Sequence, residues 1–267
     1  MVDDDEHGRI DVDALTSRLG QGGVALVSLV HVPTQGGLVN PAAAAGAACR
    51  AAGVPLLLDA CQSVGQLPTD VGELGCDLLT ATGRKYLRGP RGTGFLYVRR
   101  DLQDRLDPLL LDGWSATWTG DDTYRLADGA QRFESFERNW AGLLGLGAAV
   151  SLVLELGIER IAARVVTLGA RLRNALDGLD GVEVHDRGVE RCGIVTFTVR
   201  DLPCAEVADR LAAHGVQVWT SDVVHARLDL SARGLSGLVR ASVHVTNTED
   251  ELDRTVDLVD RISRGTA

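Results

Sequence analysis

The chain has 267 residues, 45% of them hydrophobic and 24% charged, with a formal net charge of -10. That length holds one large domain or two modest ones. The acid excess argues against nucleic acid or an anionic membrane as a general partner, because both need clustered Lys and Arg; a small basic pocket for a phosphate stays open.

The opening MVDDDEHGRI has neither a basic nor an apolar region of the kind a secretory signal needs. The longest apolar stretch, residues 141–154, is too short to span a bilayer and predicts a buried helix. Cys49, Cys61, Cys76, Cys192 and Cys204 are odd in number and form no CxxC pair. The expectation is a reducing, cytoplasmic setting without a disulfide framework or a metal site.

In chain order, Val12, Leu15 and Leu19 predict a short amphipathic helix. VALVSLVHV, residues 24–32, is a continuous apolar run and predicts a strand buried on both faces. Asn40 and Pro41 open an alanine-rich helix that Gly53 ends. Short apolar runs at 55–60, 77–82 and 92–100 predict three further strands, giving the α/β pattern of a mostly parallel sheet. Residues 107–137, with Trp114, Trp118 and Tyr124, lack periodicity and read as a long loop, a lid or interface segment. Helices follow at 140–156 and 158–179, strands at 182–184 and 194–199, a helix at 205–214, strands at 216–219 and 238–245, and a closing helix at 249–262. This second half reads as a small α+β domain.

The chemistry concentrates at strand ends. Asp59 closes the run LLLD, and ligands of open α/β sheets bind beyond the carboxyl ends of strands. Alone it reads better as a turn or helix-capping aspartate. Gln62 lies three residues on, within reach of the same ligand. Thr82-Gly83-Arg84-Lys85 follows another strand and brings a hydroxyl, a guanidinium and an amine together. Alone it reads as a solvated basic turn. The GPRGTG run from Gly89 to Gly94 permits tight turns and close backbone approach. Together these groups have one logic. Pyridoxal 5'-phosphate (PLP) needs an amine, an acid beside its ring nitrogen and donors for its phosphate; Lys85, Asp59, and Thr82 with Arg84 meet those needs.

Five segments in order, HVPTQGGLVNP (31–41), LLLDACQSVGQLPTDV (56–71), DLLTATGRKYLRGPRGTGFLYV (77–98), RFESFERN (132–139) and RASVHVTNTEDELD (240–253), resemble the motifs of class V aminotransferases and cysteine desulfurases. The resemblance implies a PLP-transferase-like large domain, incomplete and mostly parallel in its sheet, over residues 1–140, and a small α+β C-terminal domain with its connecting helix over 141–267. It implies that Lys85 holds the cofactor as a Schiff base and that Asp59 pairs with the ring nitrogen. Gln62 and Thr34 would lie at the phenolic oxygen. Thr82 and Arg84 would bind the phosphate, Arg84 standing where relatives commonly have His. Arg91 would approach the phosphate of a partner subunit in a homodimer, and Arg240 would clamp the carboxylate of an amino-acid substrate.

Two departures shape the expected activity. Relatives are longer at the N-terminus, where a phosphate-binding turn and a ring-stacking residue would lie, so the resemblance implies a fragment, a late start or a split gene. Desulfurases carry a reactive Cys shortly before the carboxylate-binding Arg, whereas residues 216–239 contain none; Trp219, Ser221, Asp222 and His225 occupy that stretch. This shifts the expectation from a persulfide-forming desulfurase toward an aminotransferase or C–S lyase. The alternatives are a truncated, catalytically incompetent dimerisation module of the same fold and, ranked last, a nucleotide-binding α/β protein. Cys61 reads as a packed thiol, and His225 and His244 as ordinary surface or packed histidines.

Overall fold

The computed structural model describes residues 1–266. Helix α1 (Val12–Gly20) starts where the Asp11 carboxylate accepts from the Asp13 and Ala14 amides, and it buries Leu15 and Leu19. Four strands follow with α2 (Ala42–Ala52) between the first two: β1 (Val27–Val30), β2 (Leu56–Asp59), β3 (Leu78–Thr82) and β4 (Gly94–Val98). They form one sheet in that order. β1, β2 and β3 are parallel and β4 returns antiparallel. The carboxyl ends of three strands and the start of the fourth therefore meet at one end of the sheet. One-turn helices α3 (Val71–Leu74) and α4 (Arg100–Gln103) flank the last two strands.

Leu29, Leu56, Leu58 and Leu79 on one sheet face pack against Leu15, Leu19, Ala42, Ala45 and Cys49 of α1 and α2. The alanines of α2 let this helix lie close. At Gly46 an added Cβ would stand 2.3 Å from the backbone oxygen of Leu74. Gly46→Ala is expected to cost about 1–3 kcal/mol through forced backbone movement, measured as a lowered denaturation midpoint.

The expected strand at 24–32 needs correction. β1 is shorter, lies at the sheet edge, and leaves Ser28 and Val30 exposed on one face. An apolar run reports hydrophobicity, whereas burial on a second face needs a covering layer that the sequence pattern does not specify. The loop expected at 107–137 contains a hairpin, β5 (Ala116–Gly120) and β6 (Thr123–Leu126), and a 3-10 turn (Gly129–Phe133). The apolar helix α5 (Trp140–Leu156) is not buried as expected. Only Gly142, Leu146 and Val153 are, and Leu144 and Leu154 are more than 70% exposed.

At Gly157, with φ 83°, the chain turns through 83° into α6 (Ile158–Asp177). No single helix among the described residues is long and apolar enough to cross a membrane. A second sheet has the order β7-β8-β10-β9 and is antiparallel throughout: β7 (Val182–Val184), β8 (Ile194–Val199), β9 (Trp219–Asp222) and β10 (Gly237–Ser242). α6, α7 (Cys204–Ala213) and α9 (Glu249–Ser263) cover it with Leu168, Leu172, Leu211, Leu252 and Val259 around the fully buried Phe197. A short α8 (Arg227–Ala232) packs Leu230 with Leu238 of β10. α9 begins in a capping box: Thr248 Oγ1 accepts from the Glu251 amide, and Glu251 accepts from the Thr248 amide.

The segment between β1 and α2 joins the two sheets. The Cys192 amide donates to Gly37 O, and the Gly193 amide donates to Gln66 Oε1. This threading places β10 of the second sheet over the carboxyl ends of the first.

Candidate active site

A cleft of about 560 Å³ lies between those strand ends and β10, lined by Thr34, Gln62, Arg84, Lys85, Tyr86, Arg91, Trp219, Arg240, Ser242 and His244. Six of the eight residues singled out from the sequence are among them: Thr34, Gln62, Arg84, Lys85, Arg91 and Arg240. Asp59 and Thr82 end β2 and β3 and are not among the lining residues. Arg91 lines the cleft of its own chain.

Each position has a local cause. After Asp59 the chain folds into a tight turn: the Cys61 amide donates to Asp59 Oδ1 at 2.9 Å, and the Ser63 and Val64 amides donate to Ala60 O. The turn aims Gln62 at Thr34, where Gln62 Nε2 donates to Thr34 Oγ1 at 3.1 Å. After β3, Gly83 lets the chain pass Thr93, whose Oγ1 would be 2.2 Å from a Cβ at that position. The Gly83 amide donates to Thr93 O, and the Gly89 amide closes the loop onto Gly83 O. Arg88 adopts φ 60° in this loop, a conformation that L residues rarely hold. Thr82 Oγ1 donates to Thr93 O at a long 3.4 Å, so the hydroxyl expected to hold a phosphate is engaged within the turn.

Burial is the main cause of a lowered Lys85 pKa; Arg84 and Arg240 lower it further, while Cys61 and Asp59 oppose them. The amine is therefore a neutral nucleophile at a lower pH than a surface lysine, and the Asp59 carboxylate is within electrostatic reach of it. Cys61 beside it is pushed up to about 11 by burial and by its hydrogen bond to Asp59. It is a protonated, packed thiol, as expected from the sequence. The other four thiols are raised as well, burial leading in each.

His31 supports the site from below. Ser63 Oγ donates to Ala60 O and so accepts from His31 Nδ1 at 2.9 Å. Burial lowers the His31 pKa to about 4. Its folded value lies below the ordinary value of about 6.5, so its contribution is complete above that pH and is lost as pH falls toward 4. Acidification across this window is expected to cost up to about 3 kcal/mol from His31. A smaller loss in His31→Gln, followed by thermal melts at each pH, checks it; an equal loss in both proteins assigns it elsewhere.

His225, paired with Asp222 at 2.7 Å on the surface, does not line the cleft, whereas His244 does. Sequence reasoning missed Tyr86 and Ser242 altogether. For Ser242 one signal was present: it alternates with Arg240 along β10, and alternate residues of a strand share a face. Trp219 sits opposite Arg240 in the β9–β10 register.

The fold is that of PLP transferases. The family profile described as "Aminotransferase class-V" matches residues 1–255, and the chain belongs to that family. It is 30% identical over 266 residues to a probable cysteine desulfurase of Methanothermobacter thermautotrophicus, covering 98% of this chain and 66% of that protein. It is 32% identical over 243 residues to a cysteine desulfurase of Serratia proteamaculans, covering 90% of this chain and 58% of that protein. Among solved structures, the apo cysteine desulfurase of Thermococcus onnurineus superposes with a TM-score of 0.92 at 28% identity, covering 99% of this chain and 66% of that one. The chain thus spans somewhat under two-thirds of the length of the relatives it matches.

Proposed function

We propose that this chain carries the lysine-bearing site of a PLP-dependent enzyme acting on an amino acid, of the aminotransferase or C–S lyase type. The observation that carries the reading is Lys85. Its amine, with a pKa lowered by burial, stands in a cleft lined by Arg84, Arg91 and Arg240, with the Asp59 carboxylate within electrostatic reach. This donor set fits the cofactor: three guanidiniums for a phosphate and a carboxylate, an amine for an aldehyde, an acid for a ring nitrogen.

Bound PLP supplies an electron sink for a bond broken at the substrate α-carbon. Lys85 would hold the cofactor and, once displaced by substrate, move the α-proton; its lowered pKa suits a base near neutral pH. Asp59 would keep the ring nitrogen protonated, with Gln62 and Thr34 at the phenolic oxygen. Arg84 would hold the phosphate together with Thr82; Arg91, which the resemblance implies for a partner's phosphate, lines this same cleft and would serve the phosphate bound here; and Arg240 would orient the substrate carboxylate. Asp59→Asn is expected to keep cofactor binding and lower turnover about 100- to 1,000-fold, the usual cost of one electrostatic group; steady-state kinetics on the loaded protein checks it.

The absence of a cysteine from 216–239, together with five raised thiol pKa values, favours transamination or β-elimination over a persulfide carried on that segment. A cystine C–S lyase that superposes at a TM-score of 0.81 and 27% identity, solved with its product cysteine persulfide, is consistent with the lyase branch. The exposed apolar face of α5 supports a homodimer, and five free cysteines fit a reducing cytoplasm. We also read residues 1–140 as the cofactor-binding domain and 141–267 as the smaller one.

Titrating PLP into the purified chain tests the reading. A band at roughly 410–430 nm that shifts with an added amino acid supports it. Binding without such a shift supports the second reading, an incompetent dimerisation module, which the engaged Thr82 hydroxyl favours.

A further inference from the structure

Two polar atoms beneath the cleft are anomalous. Tyr86 Oη and Arg240 Nε are both buried with no hydrogen-bond partner among the described residues. Leaving a buried polar group unpaired is costly, so each calls for an explanation. The two groups face one electrostatic neighbourhood. Burial pushes the Tyr86 phenol well up, with Cys192 adding to this and the Arg240 guanidinium opposing it. Burial lowers Arg240, and Tyr86 opposes that.

The surroundings fix what can move. The Tyr86 ring is 4% exposed and stacks on His244 with centroids 4.4 Å apart, so it is held from the side. Arg240 Nη1 donates to Thr34 O at 3.0 Å, which tethers one end of the guanidinium. Nε is buried and is a donor only, while the phenol oxygen can accept.

We propose that Tyr86 is a positioning residue for Arg240: its hydroxyl oxygen accepts from Arg240 Nε when a substrate carboxylate engages the outer edge of the guanidinium. The hydrogen bond fixes the guanidinium plane, so the carboxylate meets a preset pair of donors rather than a rotating one. The Tyr86 hydroxyl thereby selects for substrates that keep their carboxylate. This rests on the proposed role of Arg240, and it adds a residue whose hydroxyl acts through Arg240.

Tyr86→Phe keeps the ring and its stacking and removes only the hydroxyl. The first measurement uses no cofactor: propionate is titrated into the cofactor-free chain in saturating inorganic phosphate, followed by the fluorescence of Trp219 in the same cleft. Tyr86→Phe is expected to bind propionate about tenfold more weakly. In the PLP-loaded protein it is expected to raise KM for an amino acid about tenfold with kcat within about twofold, while the resting absorbance and the binding of ethylamine, which has no carboxylate, stay unchanged. Equal propionate binding by both proteins, no propionate binding by the unmutated chain, or an equal loss of ethylamine binding overturns the inference. A missing PLP band in the unmutated chain would instead sink the proposed function, and the propionate comparison would still stand on its own.

Discussion

Lys85→Ala is expected to abolish the absorbance band at roughly 410–430 nm and to lower amino-acid turnover by at least about 100- to 10,000-fold, the loss that follows from removing a positioned proton-transfer group alone. Lys85 is the only primary amine among the residues lining the cleft. The other cations there are guanidiniums, which stay protonated and cannot form the covalent bond to an aldehyde. Arg84, Arg91 and Arg240 remain in the variant, so phosphate affinity should survive and PLP should bind noncovalently with the colour of the free aldehyde. Lys85→Arg separates charge from nucleophilicity: it retains the cation and should lose the band equally. Lys85 is the one lysine in the sequence, so a variant at Lys85 that kept the band would show that the band is not a lysine adduct, and the assignment of the site would fall with it.

The pH dependence of loading follows from the same environment. With its pKa lowered mainly by burial, Lys85 reaches its neutral form at a lower pH than an exposed lysine. The rate of PLP attachment should therefore rise with pH and level off below the ordinary lysine value of about 10.4. Asp59→Asn removes a charge that opposes this lowering, so its plateau should begin at a still lower pH.

Legibility in the sequence followed how local each cause is. α6 and α9 were readable because their apolar positions recur at helical spacing, and the expected bounds lie within two residues of those observed. The turn residues of the site were readable because Asp59, Gln62 and Lys85 lie at the ends of short apolar strands, where the backbone leaves the sheet. The β5–β6 hairpin was not. Its connection is Asp121-Asp122, which lacks the glycine that usually marks a two-residue turn. Tyr86 was hidden for a different reason. A tyrosine beside a lysine carries no signal until the fold brings Arg240, more than 150 positions away, against it. Exposure of β1 and α5 was equally out of reach, since it depends on what covers them.

The largest stability effect is expected at the seam between the two sheets. Arg173 on α6 donates through Nε to Asp186 Oδ2 at 2.7 Å, and the two side chains are 7% and 0% exposed. Arg173 Nη2 also donates to Cys192 O and Ile194 O, and Asp186 Oδ1 accepts from both the amide and the hydroxyl of Thr196. Each charge thus has several partners, and removing one strands the other in the interior. Asp186→Ala is expected to destabilise the chain by about 3–5 kcal/mol, chiefly the cost of an uncompensated guanidinium. A paired change, Arg173→Met with Asp186→Leu, should recover much of that loss, because the desolvation of both charges disappears together; urea unfolding of the three proteins distinguishes this from a simple packing defect, in which the losses would add. The consequence extends to the cleft. Gly37 passes so close to this pair that a Cβ there would lie 2.8 Å from Arg173 Nη2, and the same segment carries Thr34, which holds both Gln62 and Arg240. Loosening the ion pair should therefore weaken carboxylate binding at Arg240 more than covalent attachment at Lys85, whose turn is closed by its own bonds to Thr93 and Gly83.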